Sequence, residues 1–266
     1  MRRLEVKNKW RMGPRGAKHR AELGASVSRL KSSAASHSGT AALLETLVTP
    51  LGVAAVIIIV LHVLNVALGY PSWQLEHLLD LDGEANIASW FSGLLLAVSA
   101  LVAYLCARKA RLVAREQASL WWWVSVLLIF MSCDEVATLH ERCTEVILHR
   151  VFGGQPLLRA ANWIVVLGPF VIGCFAWLGM RLRQALRMSP VAARRMLLGV
   201  AIFLGGAMGV EFLLNGITFE TAVWLVHAQI VIEESLEMAG VLCFLSGLLV
   251  HLQTLEAVTS DKGQVV

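Results

Sequence analysis

Six stretches of roughly 20 predominantly apolar residues constrain this chain more than any motif: Leu47–Gly69, Ile87–Ala107, Ala118–Leu139, Asn162–Met180, Met196–Gly216 and a last one ending near Leu252. A helix of about 20 residues crosses the ~30 Å hydrocarbon core of a bilayer, and lipid offers the backbone no hydrogen-bonding partner. Runs of this length are therefore expected to be membrane helices and not strands. The composition agrees: 57% of the 266 residues are hydrophobic, too many for a surface that faces water. The expected fold is all-α, a polytopic bundle of six transmembrane helices over residues 47–253, between a basic tail (1–46) and a short C-terminal tail (254–266).

The basic residues set the expected orientation. Of the 23 Lys and Arg, ten precede the first run, four lie in Arg108–Arg115, five in Arg181–Arg195, and Lys262 is near the C-terminus; only Arg142, Arg150 and Arg159 fall on the other side. The positive-inside rule then places both termini in the cytoplasm. The N-terminal tail is Ser-rich and broken by Gly13, Pro14, Gly16 and Gly39, which predicts a disordered segment that serves as an orientation signal or is drawn to anionic lipid. No nucleic-acid partner is expected. The five cysteines have no C-x-x-C spacing, so neither a zinc ribbon nor a disulfide framework is indicated.

One stretch breaks the apolar pattern in an informative way. From Leu120 the chain reads LWWWVSVLLIFMS and then, without glycine or proline, turns into Asp134, Glu135, His140 and Glu141. A charged side chain within hydrocarbon costs at least ~2.5–3.5 kcal/mol, so acids at this depth need a partner, a wet cavity or a function. Read as one helix, the stretch puts Asp134, Thr138, Glu141 and Glu145 on one stripe, with Glu135 and His140 pointing elsewhere. Trp121, Trp122 and Trp123 read as an interfacial belt.

Counting ~20 residues from the basic end of each run gives the depth of every polar group. Asp134, Glu135, Glu211 and Glu237 fall about one turn inside the other boundary; Glu84, Asn86, His140, Glu141, Glu233 and Glu234 lie near it. His62 and Asn65 share a face one to two turns deeper, and Asn215 follows Glu211 at i+4. His227 and Glu234, seven apart, share a face of the last run, which is either one long helix or an interfacial helix followed by a span. The fourth run has no charged residue, and it is expected at the periphery.

Converging carboxylates with one or two imidazoles suit Mg²⁺, Ca²⁺, Mn²⁺, Fe²⁺ or Zn²⁺, and a divalent metal would offset their mutual repulsion. The expected ligands are Asp134, Glu141, Glu211, Glu237, His227 and Glu84, with His62, Asn65, Asn86, Ser132, Asn215, Glu233 and Glu234 in support. With Glu141, His140 and Glu135 as acid–base groups, such a site would activate water against a lipid or lipid-linked substrate. The same residues without metal would relay protons or bind the cation of a coupled transporter. A non-catalytic assembly partner is the third reading.

Asp80-x-Asp82-x-Glu84-x-Asn86 followed by Trp90-x-Ser92, together with Ser132-x-Asp134-Glu135-x4-His140-Glu141, resembles an uncharacterised group of bacterial integral membrane proteins. The resemblance covers most of the membrane part. It implies a bacterial inner-membrane setting and no particular activity. The chain is also faintly similar to the alkaline ceramidase-like membrane hydrolases, which combine Ser, Asp and His as zinc ligands; their late pair of closely spaced histidines has no counterpart here.

Overall fold

The computed structural model describes residues 39–158, 162–214 and 219–263, so Asn215 lies outside the described residues. The described part is helical: α1 (Thr40–Glu45), α2 (Val48–Ala67), α3 (Trp73–Leu79), α4 (Ile87–Val113), α5 (Arg115–Ala137), α6 (Leu139–Val151), α7 (Asn162–Val166), α8 (Gly168–Ala185), α9 (Pro190–Leu204), α10 (Glu211–Leu214) and α11 (Phe219–Gly263). Five segments are long and apolar enough to cross a membrane: Thr40–Ala67, Ile87–Val113, Arg115–Ala137, Pro190–Leu214 and Ala222–Asp261. This is an all-α protein built for a lipid bilayer.

Two of these form the centre. The apolar windows of α4 and α11 are 61% buried, against 17% in the other three segments. The reason is legible in their spacing. On α4, Ser92, Leu96, Ser99, Ala103, Cys106 and Ala110 are buried, and on α11 Met238, Val241, Leu245, Leu248, Leu252 and Leu255. Both sets alternate steps of four and three, the seam of two helices that cross at a shallow angle. The small residues on α4 let its neighbours approach closely, which is what drives helix association where lipid is as apolar as the side chains.

Antiparallel α5 is fastened to α4 by two hydroxyls one heptad apart. Ser125 Oγ donates to the Ala100 carbonyl at 2.8 Å and Ser132 Oγ to the Gly93 carbonyl at 2.7 Å. Ser132 is thus engaged in helix packing. Replacing Ser132 with alanine is expected to lower stability in detergent by only ~0.6–1.7 kcal/mol, the range for such bonds between membrane helices, as read by thermal unfolding.

Helices α9 and α11 meet backbone to backbone. A Cβ on Gly199 would lie 2.6 Å from the Gly240 carbonyl oxygen, and one on Gly240 would lie 2.6 Å from the Phe203 nitrogen. One heptad further along each helix, a Cβ on Gly247 would lie 3.0 Å from the Ala192 carbonyl, and one on Gly206 would lie 2.9 Å from that of Glu233. This glycine seam runs towards the acids of α11.

The two ends of the bundle differ. At one, Ser189 Oγ lies 3.1 Å from His251 Nδ1 and the Trp121 ring lies 4.6 Å from that of His251. Trp121 is fully buried there, so only Trp122 and Trp123, 41% and 59% exposed, fit an interfacial belt. The acids gather at the opposite end. The segment α7–α8 runs between the two ends and is broken at Leu167 between two helices. The last run is continuous: apart from Ala222, whose ψ of 81° is not helical, one helix extends to Gly263. His227, Glu233, Glu234 and Glu237 therefore belong to the same helix as the final span.

Candidate functional site

The helix expected through residue 141 breaks at Thr138, which takes φ 47° and ψ 44° although no glycine marks the place. The device that permits this is Asp134. Its Oδ1 accepts the His140 backbone N–H at 2.8 Å, and its Oδ2 lies 2.9 Å from His140 Nδ1. A carboxylate in the last turn of α5 thus caps the first turn of α6, where backbone N–H groups lack helical partners. Arg142 completes the junction by donating through Nε to the Ala137 carbonyl at 2.9 Å and to Thr138 Oγ1 at 3.3 Å. The break redirects the chain, so Glu141 and Glu145 do not continue the stripe of Asp134, and His140 turns back onto Asp134.

Burial opposes charging of the His140 imidazole, but the hydrogen bond and charge of Asp134, with those of Glu141 and Glu211 behind it, prevail. The ring is held above the ordinary histidine value. With Nδ1 occupied by Asp134, Nε2 is the nitrogen left for other chemistry, the arrangement found when a carboxylate orients an imidazole as base or metal ligand. The His140 ring also meets the Trp163 ring edge to face, with centroids 5.0 Å apart, and Trp163 Nε1–H donates to Glu211 Oε2 at 2.7 Å. The uncharged fourth run therefore contributes to the site through its first turn. Glu211 itself follows a π-helical turn, Gly205–Val210, an irregularity that shifts helical register and recurs at functional sites.

Helix α11 supplies the deepest acids. Glu234 continues the seam of Met238 and Val241 by one step of four, which puts it on the buried side. Glu237 is housed by a missing side chain: a Cβ on Gly206 would lie 3.2 Å from its Cγ. The negative charges act on one another across the elements. Glu237 is within electrostatic reach of Glu135, Glu211, Glu233 and Glu234, Glu234 of Asp80, Asp82, Glu135 and Glu233, and Glu211 of Asp82 and Glu141. At the rim, desolvation pushes the Glu141 carboxyl up against the pull of His140, with Glu84 and Asp82 adding to the rise. Asp82 is raised in the same way, by desolvation and then by Asp80, against the pull of His62. Among the described residues the ion pairs within 4.0 Å are His62–Asp80, at 3.8 Å, and His140–Asp134; neither Lys nor Arg takes part.

His62, Asn65, Asn86 and His227 engage the loops at this end. His62 Nδ1 lies 3.1 Å from both the Leu81 nitrogen and the Leu79 carbonyl oxygen, and Asn65 Nδ2 donates to the Leu75 carbonyl at 3.2 Å, pinning the loop after α2. His227 Nε2 lies 3.2 Å from the Tyr70 hydroxyl, and its ring is 6.1 Å from that of His62. Asn86 caps α4 in a reciprocal box with Ser89 and donates to the Asp80 carbonyl at 2.6 Å. Together they hold Asp80, Asp82 and Glu84 over the acids of the helices. His227 takes part in this loop clamp.

A family model described as a domain of unknown function (DUF8692) matches residues 50–252. The chain belongs to the DUF8692 family. No curated protein and no solved structure matches it. The matched span takes in every acid named above, so the DUF8692 region contains the whole site.

Among the described residues of this DUF8692 protein, no three His, Cys, Asp or Glu side chains already converge as a metal cage. Several oxygens are instead held by protein donors, both of Asp134 and one of Glu211. Sequence reasoning missed Trp163, Tyr70 and Gly206. Trp163 is an aromatic residue near a helix start, indistinguishable in sequence from an interfacial anchor. Gly206 carried a signal, since Gly199 precedes it by seven residues and Gly240 and Gly247 repeat the interval on the facing helix.

Proposed function

We propose that this protein is a six-pass protein of the bacterial inner membrane, with both termini cytoplasmic. In this reading its acidic end takes up a divalent cation, and the Asp134–His140 pair acts as the base of an enzyme working on a lipid or lipid-linked substrate. The observation that carries the reading is the cluster's charge: carboxylates from α5, α6, α10, α11 and the loop before α4 act on one another, with imidazoles as their only ion-pair partners among the described residues. Such a group needs cations or protons to persist. The sixth pass would be α7–α8, which links the acidic end, through Trp163, to the end at Ser189. Glu135, Glu211, Glu233, Glu234 and Glu237 would close on the ion, and Glu84 and Glu141 would line its entrance. His140 Nε2 would accept a proton from water or a substrate hydroxyl, and Asp134 would stabilise the resulting imidazolium.

A second reading follows from the hydrogen bonds already made by Asp134 and Glu211. Carboxylates satisfied by protein donors favour a proton-coupled transporter, in which Glu234 and Glu237 exchange protons instead of binding metal. Elemental mass spectrometry of detergent-purified protein in chelator-free buffer separates the two. The expected result is close to one divalent ion per chain, falling at least ~10-fold when Glu234→Gln and Glu237→Gln are combined. No metal in either protein would overturn the cation reading and transfer the question to proton-driven uptake in proteoliposomes.

A further inference from the structure

Away from the acids, an open cleft with about 90 Å³ of free space lies between α4, α5, α8, α9 and α11. Its wall is apolar, with Leu96, Met131, Phe175, Val200 and Phe244 among the residues, and Arg183 is its one charged member. Arg183 has no carboxylate within 4.0 Å among the described residues, and α7 through Met188 contains no acid at all. Its neighbour Arg181 is placed differently, 5.7 Å from the Trp177 ring centroid. Gly179, one turn from Arg183 on the same wall, has nothing within 4 Å of the position a Cβ would take, so the opening is real at that point.

From this combination we infer that the cleft is a binding site for one anionic phospholipid, its acyl chain along the apolar wall and its phosphate at Arg183. A cleft left empty in hydrocarbon would forfeit the dispersion contacts of its whole lining, and in a bilayer the molecules at hand to fill it are lipid chains. The unpaired guanidinium selects among them, because it offers a planar fork of donors to a phosphate. The cleft follows α9 from Ala193 to Phe203, about 15 Å of helix, so the chain would lie along the bundle and across the glycine seam at Gly199 and Gly240. Here the lipid is a structural ligand, which ties α8 to the rest of the bundle.

The test uses the full chain in neutral detergent, titrated with palmitoyl-oleoyl phosphatidylglycerol or the matching phosphatidylcholine and read by native mass spectrometry. One phosphatidylglycerol should be retained per chain, about fivefold more tightly than phosphatidylcholine, the factor expected for one basic contact. Arg183→Gln should reduce phosphatidylglycerol to the phosphatidylcholine level. Gly179→Phe, which fills open space and improves helix propensity, should melt like the parent protein in lipid-free detergent and lose both lipids. Equal retention of the two lipids by the parent protein would overturn the inference. So would a normally melting Gly179→Phe that keeps its lipid, a stable dimer that closes the cleft, or displacement of the lipid by soluble glycerol phosphate, which would place the affinity in the headgroup alone.

Discussion

Gly240→Val is expected to leave little folded protein to purify. The Cβ that any substitution adds at Gly240 would sit 2.6 Å from the Phe203 nitrogen and 2.8 Å from the Gly199 carbonyl oxygen. Both are backbone atoms, which cannot swing aside as a side chain can. Relief requires α9 and α11 to separate, and separation would undo the contacts above and below, where Gly247 faces Ala192 and Gly206 faces Glu233. Overpacking a tight interface typically costs ~1–3 kcal/mol, and a clash with two backbone atoms of α9 belongs at or beyond the upper end. The reading is the yield of monodisperse protein by fluorescence-detected size exclusion, with the melting temperature of whatever survives. Gly173→Ala is the matched control: nothing lies within 4 Å of its Cβ position, and the change should be neutral or stabilising by up to ~1 kcal/mol, the helix-propensity difference. A Gly240→Val protein that melts with the parent would remove the glycine seam from the account of how the acids on α11 are placed.

Five of the apolar runs were legible because length and hydropathy depend on local composition. Lipid forces every backbone group in a span to bond within its own helix, so length and hydropathy locate the helices with little help from tertiary structure. What escaped depended on groups distant in sequence. The break at Thr138 has no turn residue to announce it; it is made by a carboxylate four residues upstream reaching an amide two residues downstream. Likewise Trp163 gains its place from Glu211, 48 residues away, and His227 from Tyr70, 157 residues away. His251 looks in sequence like a lone histidine in an apolar run, and only the fold brings Ser189 and Trp121 to it. The half-buried position of Glu234, by contrast, could have been read, since it extends the four-three alternation of Met238, Val241 and Leu245.

Asp134→Asn is expected to lower stability by ~1.5–3 kcal/mol at mildly acidic pH and to flatten its dependence on pH. The loss is that of one charge-assisted hydrogen bond, together with the weakened cap on α6. Its size belongs towards the lower end, because the His140 and Asp134 side chains are 33% and 23% exposed and solvent screens them. The sign of the pH effect follows from proton uptake. His140 has a raised value in the folded protein, so above the unfolded value of about 6.5 the folded chain holds a proton that the unfolded chain has released. Stability must therefore fall as pH rises through that window: the contribution is complete below about 6.5 and is lost as pH passes the folded value of His140. Glu141 and Asp82, also raised, give a fall of the same sign at lower pH, beginning near the ordinary carboxylate value. Subtracting the Asp134→Asn profile from that of the parent protein, both from thermal unfolding in one detergent, isolates the upper window. A difference that grows with rising pH would mean that the pair is held together by a neutral imidazole. That result would withdraw His140 as a charged partner of Asp134, and it would weaken the case that this junction was built to hold a proton.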